Sequence, residues 1–469
     1  MKQKFFILLS CLYSVVACND KMSGIEVLTP STESKIVVSE EEYYSLIYDD
    51  VTSLDDDDIM RIASDFIQSY NEHSNQYNST KSSPINNYLY EISNIEYCTL
   101  PVMKSDNSES LQMPIYEVNY TNNANDYGVI FIAANSMNSE VIAFLPNEII
   151  DRDAYEKSGA SFLIEWAKMS AYKRLSDIYT SCIRLREATI KKIADNLNIK
   201  QDELQLSSIL DKIEVINTKV APIQSPTTQI ITLQEPLVTT QWSQNSPYNS
   251  YLPAPNPPST MSNVYCGCAV TAACQLLTAI KPNLTIDGVT INWDYITENP
   301  KISLSDPSDK INMVCKLHEW VFDELNATPQ YDENGYHDGT GVSANSQVNF
   351  YSTYCNHSEQ YSEYDPDAVL RSLRAKRPSL IRGQGHAWIL DGYIIAEKSV
   401  STSDMNRAVI VQYYDMFWHA NLGWSGSGNG YYKLNADTSV TFNAGGYTFN
   451  TDALWVFPGL YATNTSYIF

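Results

Sequence analysis

Three short segments in the second half of this 469-residue sequence hold residue types that complement one another chemically. The first, Tyr265-Cys266-Gly267-Cys268-Ala269-Val270-Thr271, sets a Gly before a Cys and a run of small helix formers after it. A thiol at a helix N-terminus lies at the positive end of the dipole, which lowers its pKa toward a nucleophilic thiolate. Cys274, farther along the same run, reads as a small buried thiol. The second segment, Gly383-Gln384-Gly385-His386-Ala387-Trp388, opens a strand with a His whose preceding glycines let another group approach closely. A His within reach of Cys268 would supply the base that makes the thiolate. The third, His419-Ala420-Asn421-Leu422-Gly423-Trp424, is an Asn running into a Gly-rich loop. An Asn carbonyl can hold the far imidazole nitrogen and select the useful tautomer. Cys266 and Cys268 could also be half of a metal site, but no second pair stands at zinc spacing and Cys355-Asn356-His357 is isolated, so neither a metal nor another cofactor is assigned.

The order Cys268, His386, Asn421, with gaps of 386 − 268 = 118 and 421 − 386 = 35 residues, is that of papain-like peptidases. The papain signature Cys-Gly-Ser-Cys-Trp is absent. The segments instead resemble the streptopain-type cysteine peptidases. That family's nucleophile segment aligns with Gly267 to Ala272, its Gly-His-Ala-aromatic strand with Gly385 to Gly392, and its His-x-Asn-Trp-Gly-Trp-Gly segment with His419 to Ser425. Gln244-Asn245-Ser246-Pro247-Tyr248-Asn249 matches the family's Gln-x-x-Pro-Tyr-Asn, which implies that Gln244 donates to the oxyanion hole. A neutral, prepositioned amide suits that task. The resemblance covers about residues 236 to 469 and implies an α+β, papain-like peptidase domain. It reaches the first half through Gly128-Val129-Ile130-Phe131-Ile132-Ala133-Ala134-Asn135, similar to the core of the family's inhibitory pro-domain. One departure is Leu422, where the family has a Trp that covers the bond between His and Asn.

The remaining sequence must position these groups. Apolar residues at 59, 62, 63, 66 and 67 predict a helix, with Asp55 to Asp58 as first-turn carboxylates. Residues 75 to 85 read as a polar loop. Strands are predicted at 114–120, 128–134 and 141–145, then a helical stretch from Ala154 to Leu197 broken by no Gly except Gly159. These elements describe a small α+β unit of their own over 19–217. Residues 218–235, with Pro222 and Pro226 among Thr and Gln, read as a linker open to proteolysis, ahead of the peptidase domain at 236–469.

Residues 1–18 combine a basic start, the apolar run Phe5 to Tyr13 and Val15-Val16-Ala17-Cys18, the pattern of a bacterial lipoprotein signal. It resembles a lipobox, which implies acylation at Cys18 and a lipid anchor in the cell envelope. Several acyl chains, at about 0.8 kcal/mol per buried methylene, hold a protein stably where one chain does not. A net charge of −24 repels nucleic acid and anionic lipid head groups, so polyanion binding is disfavoured as the main role. The expected activity is that of an exported cysteine endopeptidase made as a zymogen, with protein or peptide substrates and its own pro-domain as inhibitor. The alternatives are a papain-fold amidase acting on cell-wall peptides and a non-catalytic surface binding lipoprotein.

Overall fold

The computed structural model describes residues 36–47, 54–77, 88–101, 110–122, 126–135, 138–216, 227–256, 261–383, 385–404, 407–434, 441–444, 447–450 and 453–469. The leader and Cys18 lie outside them.

The first half supplies helix α1 (Asp56–Tyr77), the meander β1 (Leu89–Pro101), β2 (Ser110–Thr121), β3 (Tyr127–Asn135) and β4 (Asn138–Pro146), and helices α2 (Arg152–Ser158) and α3 (Ala160–Leu197). The start of α1 follows from its carboxylates, since the Asp55 side chain accepts the Asp58 N–H at 2.8 Å. The predicted helix over 154–197 is two helices, because Gly159 adopts φ +82 between them. The polar residues from 75 to 77 extend α1 instead of opening a loop.

The second half places β5 (Thr227–Gln234), α4 (Cys268–Ile280), α5 (Ser308–Glu324), the hairpin β6 (Thr328–Tyr331) and β7 (His337–Gly341), then β8 (Ser379–Gly383), β9 (His386–Asp404), β10 (Arg407–Asn421), β11 (Gly430–Tyr432) and β12 (Trp455–Phe457). Part of the expected linker is therefore strand. β5 pairs antiparallel with β9, Tyr393 opposite Gln234 through Ser399 opposite Thr227. Its Thr and Ile residues favour extended backbone, Ile230 and Leu233 bury on one sheet face, and Pro226 and Pro236 flank it. Residues 217–226 lie outside the described residues.

The larger departure is that the two halves share one sheet. It runs β12-β8-β9-β10-β11-β4-β3-β2-β1, with Tyr431 of β11 opposite Phe144 of β4 and Tyr432 opposite Ala143. α1 covers one face with Ile59, Phe66 and Ile67, which pack with Phe144 of the first half and Ile230, Ile394 and Phe417 of the second. The Phe66 ring lies edge-on to Phe144 at 5.4 Å and to Phe417 at 5.5 Å. On the other face Phe162, Leu163 and Trp166 of α3 pack with Trp388, Trp418 and Leu422. A separate core holds α4 and α5 against Leu380 of β8 and Ile389 of β9. The mixed α+β class agrees with the sequence, and the helix carrying Cys268 packs on the sheet carrying His386.

A buried charge cluster also straddles the halves. Lys433 bonds Glu140, and its Nζ lies 2.6 Å from Asp415, while Arg174 Nη1 lies 2.7 Å from Glu140. Low dielectric makes such a cluster intolerant of losing one member.

Candidate active site

Cys268 opens α4, and the residue before it sets its approach. Gly267 has φ +88, and a Cβ there would meet the Thr340 carbonyl oxygen at 2.6 Å, so β7 presses directly against the turn. The same hairpin holds Tyr265, two residues earlier, at both ends: the Tyr265 N–H donates to His337 Nε2 at 2.9 Å and Thr340 Oγ1 donates to the Tyr265 carbonyl at 2.6 Å. His337 Nδ1 faces the Gln330 carbonyl at 3.0 Å, which fixes the proton on Nδ1 and leaves Nε2 to accept.

Cys268 Sγ lies 3.9 Å from the Gly385 carbonyl oxygen, at the turn that leads into His386. Burial pushes the Cys268 thiol up, but the His386 charge, a hydrogen bond to that ring and the Ala387 and Ala269 backbone together hold it below the usual thiol range. His386 mirrors it: burial favours the neutral ring, and the Cys268 charge and hydrogen bond, with the Ser158 backbone, raise its pKa above the ordinary value. The two groups thus shift in opposite directions, each drawn by the other's charge against its own burial. Cys266, two residues away, is fully buried and its thiol is pushed far up by that burial.

Trp388 stacks on the His386 ring at 5.8 Å and 25°. It supplies the aromatic contact that Leu422 cannot, while Leu422 itself is buried in the adjoining core. His386 Nε2 is buried and meets no side-chain partner. Asn421, expected to orient this ring, is engaged elsewhere. Its Nδ2 donates to the Thr240 carbonyl at 2.8 Å, and its Oδ1 accepts from Gln275 Nε2 at 3.0 Å and from the Gly423 N–H at 3.3 Å. What lies against His386 is the first half: a Cβ on Gly159 would sit 2.7 Å from both Cδ2 and Nε2. Gln244 is buried, and its backbone carbonyl accepts the Cys266 N–H at 2.8 Å, which sets its backbone beside the segment entering Cys268.

The sequence profile of the Peptidase C10 family matches residues 242–432, a span that holds Gln244, Cys268, His386 and Asn421. The chain carries a C10 cysteine peptidase domain. A looser likeness is to the structure of active wild-type Prevotella intermedia interpain A cysteine protease, at 19% identity and TM-score 0.33, over 52% of this chain and 100% of that one. No curated protein matches the sequence.

Within the C10 domain two features escaped the sequence reading. One is the buried pair His419 and Asp391: His419 Nδ1 and Asp391 Oδ1 are 2.6 Å apart, and Asp391 Oδ2 accepts the Val238 N–H at 2.9 Å. The other is Gln275. Its signal was available, since a Gln in an apolar helix seven residues past the nucleophile lies on the same helix face. Among the described residues no group of three His, Cys, Asp or Glu is arranged to hold a metal ion, and no helix is long and apolar enough to cross a membrane.

Proposed function

We propose that the chain is an exported, lipid-anchored cysteine endopeptidase synthesised as a zymogen, with Cys268 and His386 as its reacting pair. The observation that carries this reading is the pair itself: a thiol at a helix start, lowered by an imidazole whose own pKa it raises, inside the C10 match. The thiolate attacks the scissile carbonyl carbon and the carbonyl electrons move to oxygen. Gln244 and the Cys268 backbone N–H stabilise that oxyanion. His386 gives its proton to the leaving amine, and the acyl-enzyme forms. The neutral ring then takes a proton from water, whose oxygen bonds the acyl carbon as the bond to Sγ breaks, releasing the carboxylic acid and restoring the Cys268 thiolate beside protonated His386.

Latency follows from the segment 148–160. Gly159 covers His386 Nε2, and Glu148 accepts from Ser427 Oγ at 3.3 Å on the Gly-rich loop. Activation requires a cut and then separation of β4 from β11. A cut within 217–226 leaves β5 in the sheet, whereas a product starting at 236 would strip it from β9 and uncover Ile394 and Ala396. The peptidase unit thus begins near Thr227. The anchor rests on the leader motif ending in Cys18.

Processed enzyme is tested on unfolded casein and on purified cell-wall peptide. Casein cleavage that is lost in Cys268→Ala and kept in Cys266→Ala is expected. Turnover of wall peptide alone would replace the endopeptidase with an amidase. Full-length Cys268→Ala, nicked by added enzyme, should yield a new N-terminus between 217 and 227. Activity of uncut wild-type chain equal to that of processed enzyme would remove the zymogen.

A further inference from the structure

Gln275 is fully buried in the apolar middle of α4, between Cys274 and Leu276. A buried amide without partners costs several times what one hydrogen bond returns, so its partners define its purpose. Gln275 Oε1 accepts the Trp242 N–H at 2.8 Å, two residues before Gln244. Its Nε2 donates to Asn421 Oδ1 at 3.0 Å. The segments it joins are fixed to each other as well: Asn421 Nδ2 donates to the Thr240 carbonyl at 2.8 Å, and the Ser425 N–H to the Trp242 carbonyl at 3.0 Å. Gly423, whose Cβ would lie 3.0 Å from Thr271 Cγ2 and 3.6 Å from Gln275 Nε2, brings the loop down onto the helix. Two turns of α4 separate this amide from Cys268, so it touches no reacting atom.

We propose that Gln275 is a positioning residue for the peptidase reaction: one side-chain amide ties the segment carrying Gln244 and the loop carrying Asn421 to the helix carrying the nucleophile. Among the anchors on the backbone of residues 240–244, Gln275 holds the Trp242 N–H and Cys266 the Gln244 carbonyl, beside the bonds from Asn421 to the Thr240 carbonyl and from Ser425 to the Trp242 carbonyl. Removing the first lets the oxyanion donor drift while leaving the thiolate pair in place. The proposal rests on the oxyanion role given to Gln244, and its test separates the two.

Gln275→Met keeps the side-chain length and deletes both hydrogen bonds. Full-length variants are processed by tagged wild-type enzyme that is then removed, and kcat, KM and the rate of Cys268 alkylation by iodoacetamide are measured. A displaced oxyanion donor predicts kcat lower by about 10- to 100-fold, with KM and alkylation each within about threefold of wild type. The double variant with Gln244→Ala should be no more than about twofold slower than Gln244→Ala alone, since both delete one function. Should Gln275→Met fail to fold, Gln275→Glu retains the acceptor for Trp242, loses the donor to Asn421, and is expected to lower kcat at unchanged alkylation. A slow Gln244→Ala beside a folded Gln275→Met of normal kcat would overturn the proposal and leave the role of Gln244 intact. Normal kcat in Gln244→Ala would instead overturn the oxyanion reading and this proposal with it. Alkylation and kcat falling together would assign Gln275 to general packing and likewise overturn it.

Discussion

Gly159→Ala should weaken latency without touching the mature enzyme. The added Cβ would lie 2.7 Å from His386 Cδ2 and Nε2, closer than real Cβ contacts come, and His386 is held from behind by Trp388. Two costs arise and only one matters. The left-handed φ of +82 belongs to the turn between α2 and α3 and persists after release, so it falls on both states. The contact exists only while the segment covers His386. Overpacking of this kind costs about 1–3 kcal/mol, which at about 1.4 kcal/mol per decade moves the release equilibrium by about 5- to 150-fold. The assay is the first-order rate of self-processing of full-length chain at several dilutions, followed by kcat of the product. Processing should accelerate within that range while kcat stays at the wild-type value, because residue 159 has left. Gly288→Ala, at φ +73 with open space around its Cβ, controls for backbone strain. Processing at the wild-type rate in a folded Gly159→Ala chain would refute the claim that this contact enforces latency.

In processed enzyme the rate of Cys268 alkylation should stay high well below the value of about 8.5 for a free thiol, and His386→Ala should restore an ordinary thiol titration; a profile identical in both would remove the pair. Glu148 is pushed up to about 7, chiefly by burial, with the Gly428 backbone and Ser427 pulling back. A carboxyl raised from 4.5 stabilises the docked form fully below pH 4.5 and stops doing so as pH rises through 7. The shift amounts to about 3 kcal/mol at most, and solvent screening reduces it to about 1–2 kcal/mol. The Tm of full-length Cys268→Ala should therefore fall between pH 5 and pH 8, and Glu148→Gln should flatten that fall. Lys433→Met leaves Glu140 and Asp415 buried without their shared cation and should cost about 3–5 kcal/mol by denaturant titration; a loss under 1 kcal/mol would show that Arg174 alone suffices.

The cysteine peptidase domain was legible because its motifs restrict residue type and local backbone together. A Gly before Cys268 and glycines before His386 show in the sequence; the structure uses Gly267 and Gly383 for close approach and Gly385, with open space around it, for a left-handed turn at φ +81. α1 was legible because one-sided burial writes a helical period, and β2 to β4 because strands buried on both faces read as short apolar runs. What was hidden is non-local. Nothing in Tyr431-Tyr432 announces that it pairs with Ala143 and Phe144 almost three hundred residues away, since a short buried strand carries no partner label. The strand at 227–234 was masked by prolines on both sides, which set its ends and not its character. Asn421 illustrates a different limit. Its identity fits an orienting role, yet which group claims its carbonyl depends on Gln275 and Gly423 in three dimensions.

The central claim is that Cys268 is the nucleophile, and the direct measurement is to label processed enzyme with an irreversible epoxide thiol inhibitor and map the modified residue by peptide mass spectrometry. Cys266, Cys274, Cys315 and Cys355 are buried, and Cys182 is half-buried with its thiol raised, so among these and Cys268 it is Cys268 that combines access with a lowered thiol. The account predicts stoichiometric label on Cys268 with loss of peptidase activity in parallel. Full inactivation with the label on another cysteine, or activity that survives complete modification of Cys268, would contradict it.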